Sequence, residues 1–235
     1  MNILNKTSAE NLYDDLKQKK GYKSIYQLYV KRAIDIILCL IALPFFLLLI
    51  IPTSIAIKIE DGGPVFYMAE RIGKNSKNFL MYKFRSMKVD SPNILNADGS
   101  TYNSATDSRV TKVGRVLRKT SIDETAQILN VLKGDMSIVG PRASEWSALP
   151  SYQEDEIDKM AVRPGITGYT QAYYRNGLGV REKRLYDAWY AHNVSFALDV
   201  KIFFKTIATV LKRENVYTNT DETKTEDLTE IGGKK

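Results

Sequence analysis

The residues best suited to chemistry lie between Arg118 and Arg142, in the stretch RKTSIDETAQILNVLKGDMSIVGPR. Ser121 and Glu124 stand at capping-box spacing, and Ile128, Leu129, Val131 and Leu132 supply an apolar face, so the spacing predicts a short helix that Gly134 stops. Asp123 and Glu124 then fall in its first turn, where unpaired backbone N–H groups and the helix dipole favour negative charge and also attract phosphate. An apolar, strand-like run (Met136, Ile138, Val139) ends at Gly140-Pro141-Arg142, a turn that could bring the Arg142 guanidinium back toward the helix start as an anion clamp. Two carboxylates and an arginine would share one small site. Spacing alone is equally consistent with plain structural capping.

Composition narrows the chemistry. The chain has 235 residues and a formal charge of +7, which suits one compact domain with an anionic partner: nucleic acid, an anionic membrane surface or a phosphorylated substrate. One cysteine, Cys39, excludes an internal disulfide framework and a cysteine-rich metal site. One histidine, His192, read as a surface or packing residue, argues against a histidine zinc site or a Ser-His-Asp triad. Carboxylates remain as candidates for nucleophile and for holding a hard cation. No GxxxxGK[ST] or GxGxxG motif is present, and no internal repeat.

The elements that must position these residues follow in chain order. Residues 1–30 read as a polar extension with a basic cluster at Lys17, Lys19, Lys20 and Lys23. From Ile36 to Ile57 no residue is charged, a run long enough at about 1.5 Å per residue to cross a hydrocarbon core of about 30 Å. Lys31 and Arg32 precede it and Lys58, Arg71, Lys74 and Lys77 follow, so the positive-inside tendency draws both ends to the cytoplasm. Pro44 and Pro52 interrupt helical hydrogen bonding. A helix bent at Pro44 into a shallow re-entrant hairpin satisfies both facts.

Beyond a turn at residues 60–64 comes a short strand from Val65 to Tyr67, then a basic loop. The alternation of residues 79–85 places Lys83 and Arg85 on one strand face, suited to a diphosphate or simply solvated. Residues 90–107 read as a loop with a turn at Asp98-Gly99. Arg109, Lys112, Arg115, Arg118 and Lys119 recur as a basic helix face, for lipid headgroups or for solvent. Residues 144–160 suggest a loop and a polar helix. Tyr169 to Tyr174 has strand character and ends at Arg175. From Phe196 the apolar periodicity predicts a helix with Asp199 in its first turn. Beyond Asn215 the composition is that of a disordered tail.

The run SIDETAQILNVLKGDMSIVGPR resembles the signature of the bacterial sugar transferases, the monotopic polyprenyl-phosphate phosphoglycosyl transferases. Further matches follow in the family's order: KRAIDIIL, GGPVFY with ERIGK, YKFRSM, RVTKVGRVLRKTSIDE, RPGITG with a following Gln171, and LDVKI, together covering residues 31 to 213. The resemblance implies transfer of a sugar 1-phosphate from a UDP-sugar to polyprenyl phosphate at the cytoplasmic membrane face, giving a polyprenyl-diphosphate sugar and UMP. It implies Asp123 as covalent nucleophile, Glu124 in metal binding or proton and phosphate transfer, and Mg²⁺ as the assisting ion, held by Glu124 and Asp123. Arg142, Arg175 and Asp199 match other active-site positions, and Lys83 or Arg85 the cation of YKFRSM; for Asp199 the match favours holding a substrate arginine over plain helix-start capping. Two departures stand out. Leu43-Pro44 replaces the family's Ser-Pro break, with Pro52 as an additional proline, and Ala143 stands where the family has proline.

The expected architecture is mixed α/β and mostly helical. It comprises a polar extension (1–30), a re-entrant membrane helix (31–59), a compact cytoplasmic catalytic domain with short strands and amphipathic interfacial helices (60–214), and a tail (215–235). Expected partners are the UDP-sugar, polyprenyl phosphate and membrane lipid, with a homodimer allowed and nucleic acid excluded because the apolar run and the missing reading motifs do not fit it. The rival is a non-enzymatic membrane-anchored module that binds anionic lipid and has no use for an Asp-Glu pair.

Overall fold

The computed structural model describes residues 24–94, 96, 102, 104, 106–174 and 178–212, with backbone alone at 211 and 212. The N-terminal basic cluster, the turn at Asp98-Gly99, Arg175 and the tail lie outside the described residues.

Helix α1 runs unbroken from Lys31 to Asp61 with Pro44 and Pro52 inside it, after one wide turn at Tyr26–Val30. At about 1.5 Å per residue its path is roughly 46 Å long. Asp35, Cys39, Phe46, Thr53 and Ile57 form its buried stripe, at four- and seven-residue spacing. Its opposite flank is bare hydrocarbon: Ile41, Phe45, Leu48, Ile51, Ile55 and Ile59 are all more than half exposed. Water does not favour a contiguous apolar surface of that extent, so the helix is built for a membrane or a partner.

Both ends of α1 are fastened to the same body. At its start Lys31 pairs with Asp199 at 2.5 Å. Arg32 donates to the carbonyls of Val131 and Leu132, and Asp35 accepts from Ser137 Oγ at 2.7 Å and Ile138 N at 3.0 Å. At its end Asp61 takes Arg85 in a bidentate pair that holds its carboxyl down at about 2, and Glu60 accepts from the backbone N–H groups of Lys112 and Val113. The basic residues before the run, Lys31 and Arg32, thus anchor it to the domain.

The hairpin β1 (Phe66–Ile72) and β2 (Asn78–Phe84) is antiparallel, with Tyr67 opposite Lys83 and Arg71 opposite Phe79. Arg71 and Ile72 therefore belong to the strand and not to a basic loop. Helix α2 (Lys112–Thr120) is N-capped by Thr111 and by Glu60 from α1, and its Gly114 lies so close to Ser86 that a Cβ would come within 1.9 Å of that carbonyl oxygen. Its exposed face carries Lys112, Arg115, Val116 and Lys119. Arg109 and Arg118 are not on that face: Arg109 is buried against Asp107 before the helix begins, and Arg118 turns inward to Ser86 Oγ.

A tight 3-10 segment (Ile122–Gln127) leads into α3 (Ile128–Lys133), which Gly134 ends with φ 98°. Strand β3 (Ser137–Val139) pairs in parallel with β4 (Gly165–Thr167), so that the Gly140-Pro141-Arg142 turn lies against Arg163-Pro164-Gly165. Two 3-10 turns, Trp146–Ser151 and Ile157–Ala161, replace the expected polar helix. Helix α4 (Tyr169–Tyr173) stands where a strand was expected: Ala172 N donates to Gly168 O at 2.9 Å and Tyr174 N to Thr170 O at 3.0 Å, although the buried Thr170 and Ala172 alternate with their neighbours as they would in a strand. Helices α5 (Val180–His192) and α6 (Phe196–Lys212) close the fold, with His192 exposed beside Asp158. The chain is mixed α/β and mostly helical, with short strands and one long apolar N-terminal helix.

Asn130 is fully buried and binds the hairpin edge twice, accepting from Tyr82 N at 2.9 Å and donating to Leu80 O at 2.7 Å. It substitutes for a missing strand neighbour and locks α3 to β2. Asn130→Ala orphans both backbone groups and is expected to cost about 2–4 kcal/mol. Chemical denaturation measures it, and a loss under about 0.5 kcal/mol, the usual scatter of a surface substitution, would show that the clamp is not structural.

Candidate active site

The carboxylate pair sits at a junction of two helical segments. Ser121 adopts a left-handed conformation (φ 58°) as the C-cap of α2 and makes no side-chain cap, so the expected capping box does not form. A residue ending one helix in that conformation cannot also aim its hydroxyl into the next. The segment bearing Asp123 and Glu124 is held instead by packing on β2 and by Glu124 N donating to Ser121 O at 3.3 Å.

Asp123 is 9% exposed. Burial, reinforced by the Glu124 charge and opposed by Lys83 and Arg118, pushes its carboxyl up to about 6. Glu124 at the next position pairs with Lys83 Nζ at 2.8 Å, half-shielded from solvent. A desolvated carboxylate is less stabilised by water and hence a better nucleophile when ionised. Lys83 and Arg118 are placed to offset negative charge arriving there. Arg118, which spacing assigned to a basic helix face for lipid headgroups or for solvent, therefore joins the site. Its position three residues before Ser121 is the signal that could have indicated it.

Arg85, expected beside Lys83, is used internally. It lies past the end of β2, 7% exposed, donating to both Asp61 oxygens, to Pro64 O at 2.6 Å and to Met87 O at 3.1 Å. Asp199 is likewise occupied: its carboxylate accepts from Tyr26 at 2.7 Å, Lys31 at 2.5 Å and Tyr190 at 2.6 Å. Burial and this carboxylate raise the Tyr190 hydroxyl well above its ordinary range. Asp199 thus clamps the start of α1.

Arg142 is exposed on a rigid turn. Its backbone N–H donates to Asp187 Oδ2 at 3.2 Å, and Lys159 Nζ binds both Asp187 (2.9 Å) and the Arg142 carbonyl (3.1 Å), while Thr170 donates to the other Asp187 oxygen. Burial works against the Lys159 charge, but Asp187 more than compensates and raises its pKa. No periodicity marks Lys159 and Asp187 as partners, and only the fold joins them.

Among the described residues no cluster of three or more His, Cys, Asp or Glu could hold a metal ion. Mg²⁺ commonly takes one or two carboxylates, waters and substrate phosphate oxygens. The adjacent Asp123 and Glu124 fit that partial donor set.

The chain matches the family model described as "Bacterial sugar transferase" over residues 26–213. It is 39% identical over 189 residues to the UDP-N-acetylgalactosamine-undecaprenyl-phosphate N-acetylgalactosaminephosphotransferase of Aeromonas hydrophila, covering 78% of this chain and 44% of that one. It is 37% identical over 205 residues to the undecaprenyl-phosphate galactose phosphotransferase of Salmonella typhimurium, covering 80% and 42%. With the uncharacterized sugar transferase EpsL of Bacillus subtilis it shares 40% over 189 residues, covering 80% of this chain and 90% of that protein. It therefore spans less than half the length of the first two and most of the third. On these matches the chain belongs to the bacterial sugar transferase family.

Proposed function

We propose that this protein transfers a sugar 1-phosphate from a UDP-sugar to polyprenyl (undecaprenyl) phosphate at the cytoplasmic face of the cell membrane, beginning assembly of a surface polysaccharide or glycoconjugate. The observation that carries this is the buried Asp123, desolvated beside the Lys83–Glu124 pair. Asp123 Oδ attacks the phosphorus bonded to the sugar, the bond from that phosphorus to the UMP oxygen breaks, and UMP departs. A polyprenyl phosphate oxygen then attacks the same phosphorus and frees Asp123. Lys83 and Arg118 offset the charge that gathers on the phosphoryl oxygens, and Arg142 holds the diphosphate. Mg²⁺, held by Asp123 and Glu124, would supply further charge neutralisation.

Membrane association follows from the exposed apolar flank of α1. The fastening of both α1 ends to one body supports a segment that enters and leaves a single leaflet, because a spanning helix would carry its ends to opposite sides. The basic face of α2, beside the last turn of α1, suits anionic headgroups.

The test uses purified protein in detergent with Mg²⁺ and a panel of labelled UDP-sugars. With one cognate sugar and no polyprenyl phosphate, UMP should appear once per enzyme and about one label should remain on Asp123. Release of UMP only when the acceptor is present would replace the two-step path by direct attack. No UMP from any sugar under either condition would favour the lipid-binding module.

A further inference from the structure

Beside the Arg142 turn the surface carries a cluster of aromatic rings that the proposed chemistry does not use. Tyr169 of α4 lies 4.8 Å from Tyr173 and 5.0 Å from Trp189 between ring centroids, and Tyr174 stacks on Tyr186 of α5 at 5.2 Å. Single exposed aromatic residues are ordinary. Here Tyr173, Tyr186 and Trp189 form one patch, at 43%, 37% and 44% exposure. The patch is rigid, because the residues adjoining Tyr169 and Tyr186 in sequence, Thr170 and Asp187, are both buried and hydrogen-bonded to each other.

The same Asp187 accepts from the backbone N–H of Arg142. One buried carboxylate thus fixes both the aromatic patch and the turn presenting an exposed guanidinium. Flat π-surfaces adjoining a phosphate-binding arginine are the chemistry that recognises a nucleotide: stacking takes the base, and the guanidinium takes its phosphates. A bilayer contact is the alternative use of exposed Tyr and Trp. Against it, the apolar stripe on α5 is short and flanked by Arg181, Glu182 and His192, and α5 packs chiefly on α4 and the 157–161 turn rather than on α1.

We propose that Tyr173, Tyr186 and Trp189 form the platform on which the nucleobase of the nucleoside diphosphate sugar stacks, with Arg142 reaching its phosphates. This rests on the donor class proposed above, and adds where on the chain its base is held.

Trp146 and Trp189 are the two tryptophans, so a Trp146→Phe background of the full chain in detergent isolates Trp189 fluorescence. UMP and uridine should quench it saturably, and ribose 5-phosphate should not. In turnover assays Trp189→Leu and Tyr186→Leu should each raise the donor KM about tenfold or more with kcat little changed, and Trp189→Phe and Tyr186→Phe should restore it. Absence of quenching by UMP, equal quenching by ribose 5-phosphate, or an unchanged KM in the Leu variants would overturn the assignment. So would Leu variants that keep their donor KM in detergent but no longer sediment with anionic phospholipid vesicles, which would give the patch to the membrane. Quenching by UMP in a protein that turns over no UDP-sugar would retain the platform while removing the proposed reaction.

Discussion

Asp123→Asn is expected to lower turnover by roughly three or more orders of magnitude and, at the same time, to make the protein more stable at neutral pH. The first effect follows because an amide is a far weaker nucleophile than a carboxylate. The second follows from the site. Burial raises the Asp123 carboxyl from 3.8 to about 6, so the folded protein binds that proton more tightly than the unfolded chain does. Its contribution to stability is full below about pH 4 and is lost as pH rises through about 6, a loss of about 3 kcal/mol at about 1.4 kcal/mol per pKa unit. Asparagine keeps the shape and never ionises. Its melting temperature should exceed the wild-type value at pH 8, and the two should converge near pH 4. A variant that is inactive but melts below wild type at pH 8 would mean that Lys83 and Arg118 stabilise the carboxylate by more than burial costs it.

Lys83→Gln should reduce kcat/KM at pH 7 by about tenfold or more, with a characteristic dependence on pH. Lys83 is the strongest influence holding the Asp123 pKa down and also pairs with Glu124. Without it the Asp123 carboxyl moves above 6, and less of it is ionised at pH 7. The acid limb of the kcat/KM profile, which reports groups of the free enzyme, should shift to higher pH, with activity partly recovered near pH 9. Lys83→Arg should restore most of the position of that limb. A uniform loss at every pH, with the limb unmoved, would make Lys83 a substrate contact instead of a tuner of the nucleophile.

The carboxylate pair, its short helix and the Gly134 stop were legible because they are local: periodicity and a glycine suffice. The Ser121 capping box was legible and mistaken, since the same serine also ends α2, and the two roles demand incompatible backbone conformations. Strand alternation put Lys83 and Arg85 together, yet the strand stops at Phe84, and Arg85 turns to a carboxylate 24 positions earlier. Tyr169 to Tyr174 looked like a strand because aromatic residues favour one and because the buried Thr170 and Ala172 alternate with their neighbours, yet the backbone closes i to i+4 bonds from Ala172 N to Gly168 O and from Tyr174 N to Thr170 O. Lys159, Asp187 and Asn130 carried no visible signal. Each is a polar residue buried by partners distant in sequence, and only the tertiary structure states the pairing.

The clamp between Lys31 and Asp199 joins residues separated by 168 positions. During synthesis the apolar helix leaves the ribosome long before its fastening partner exists, since Asp199 follows the catalytic pair and most of the chain. Translation at about 5–20 residues per second leaves an interval of roughly ten to thirty seconds in which α1 is made but lacks this last fastening, Arg85, Val131 and Ser137 having followed it sooner. Until Asp199 arrives the apolar flank of α1 is on the chain without its full set of anchors, so synthesis is the time at which that flank most needs cover.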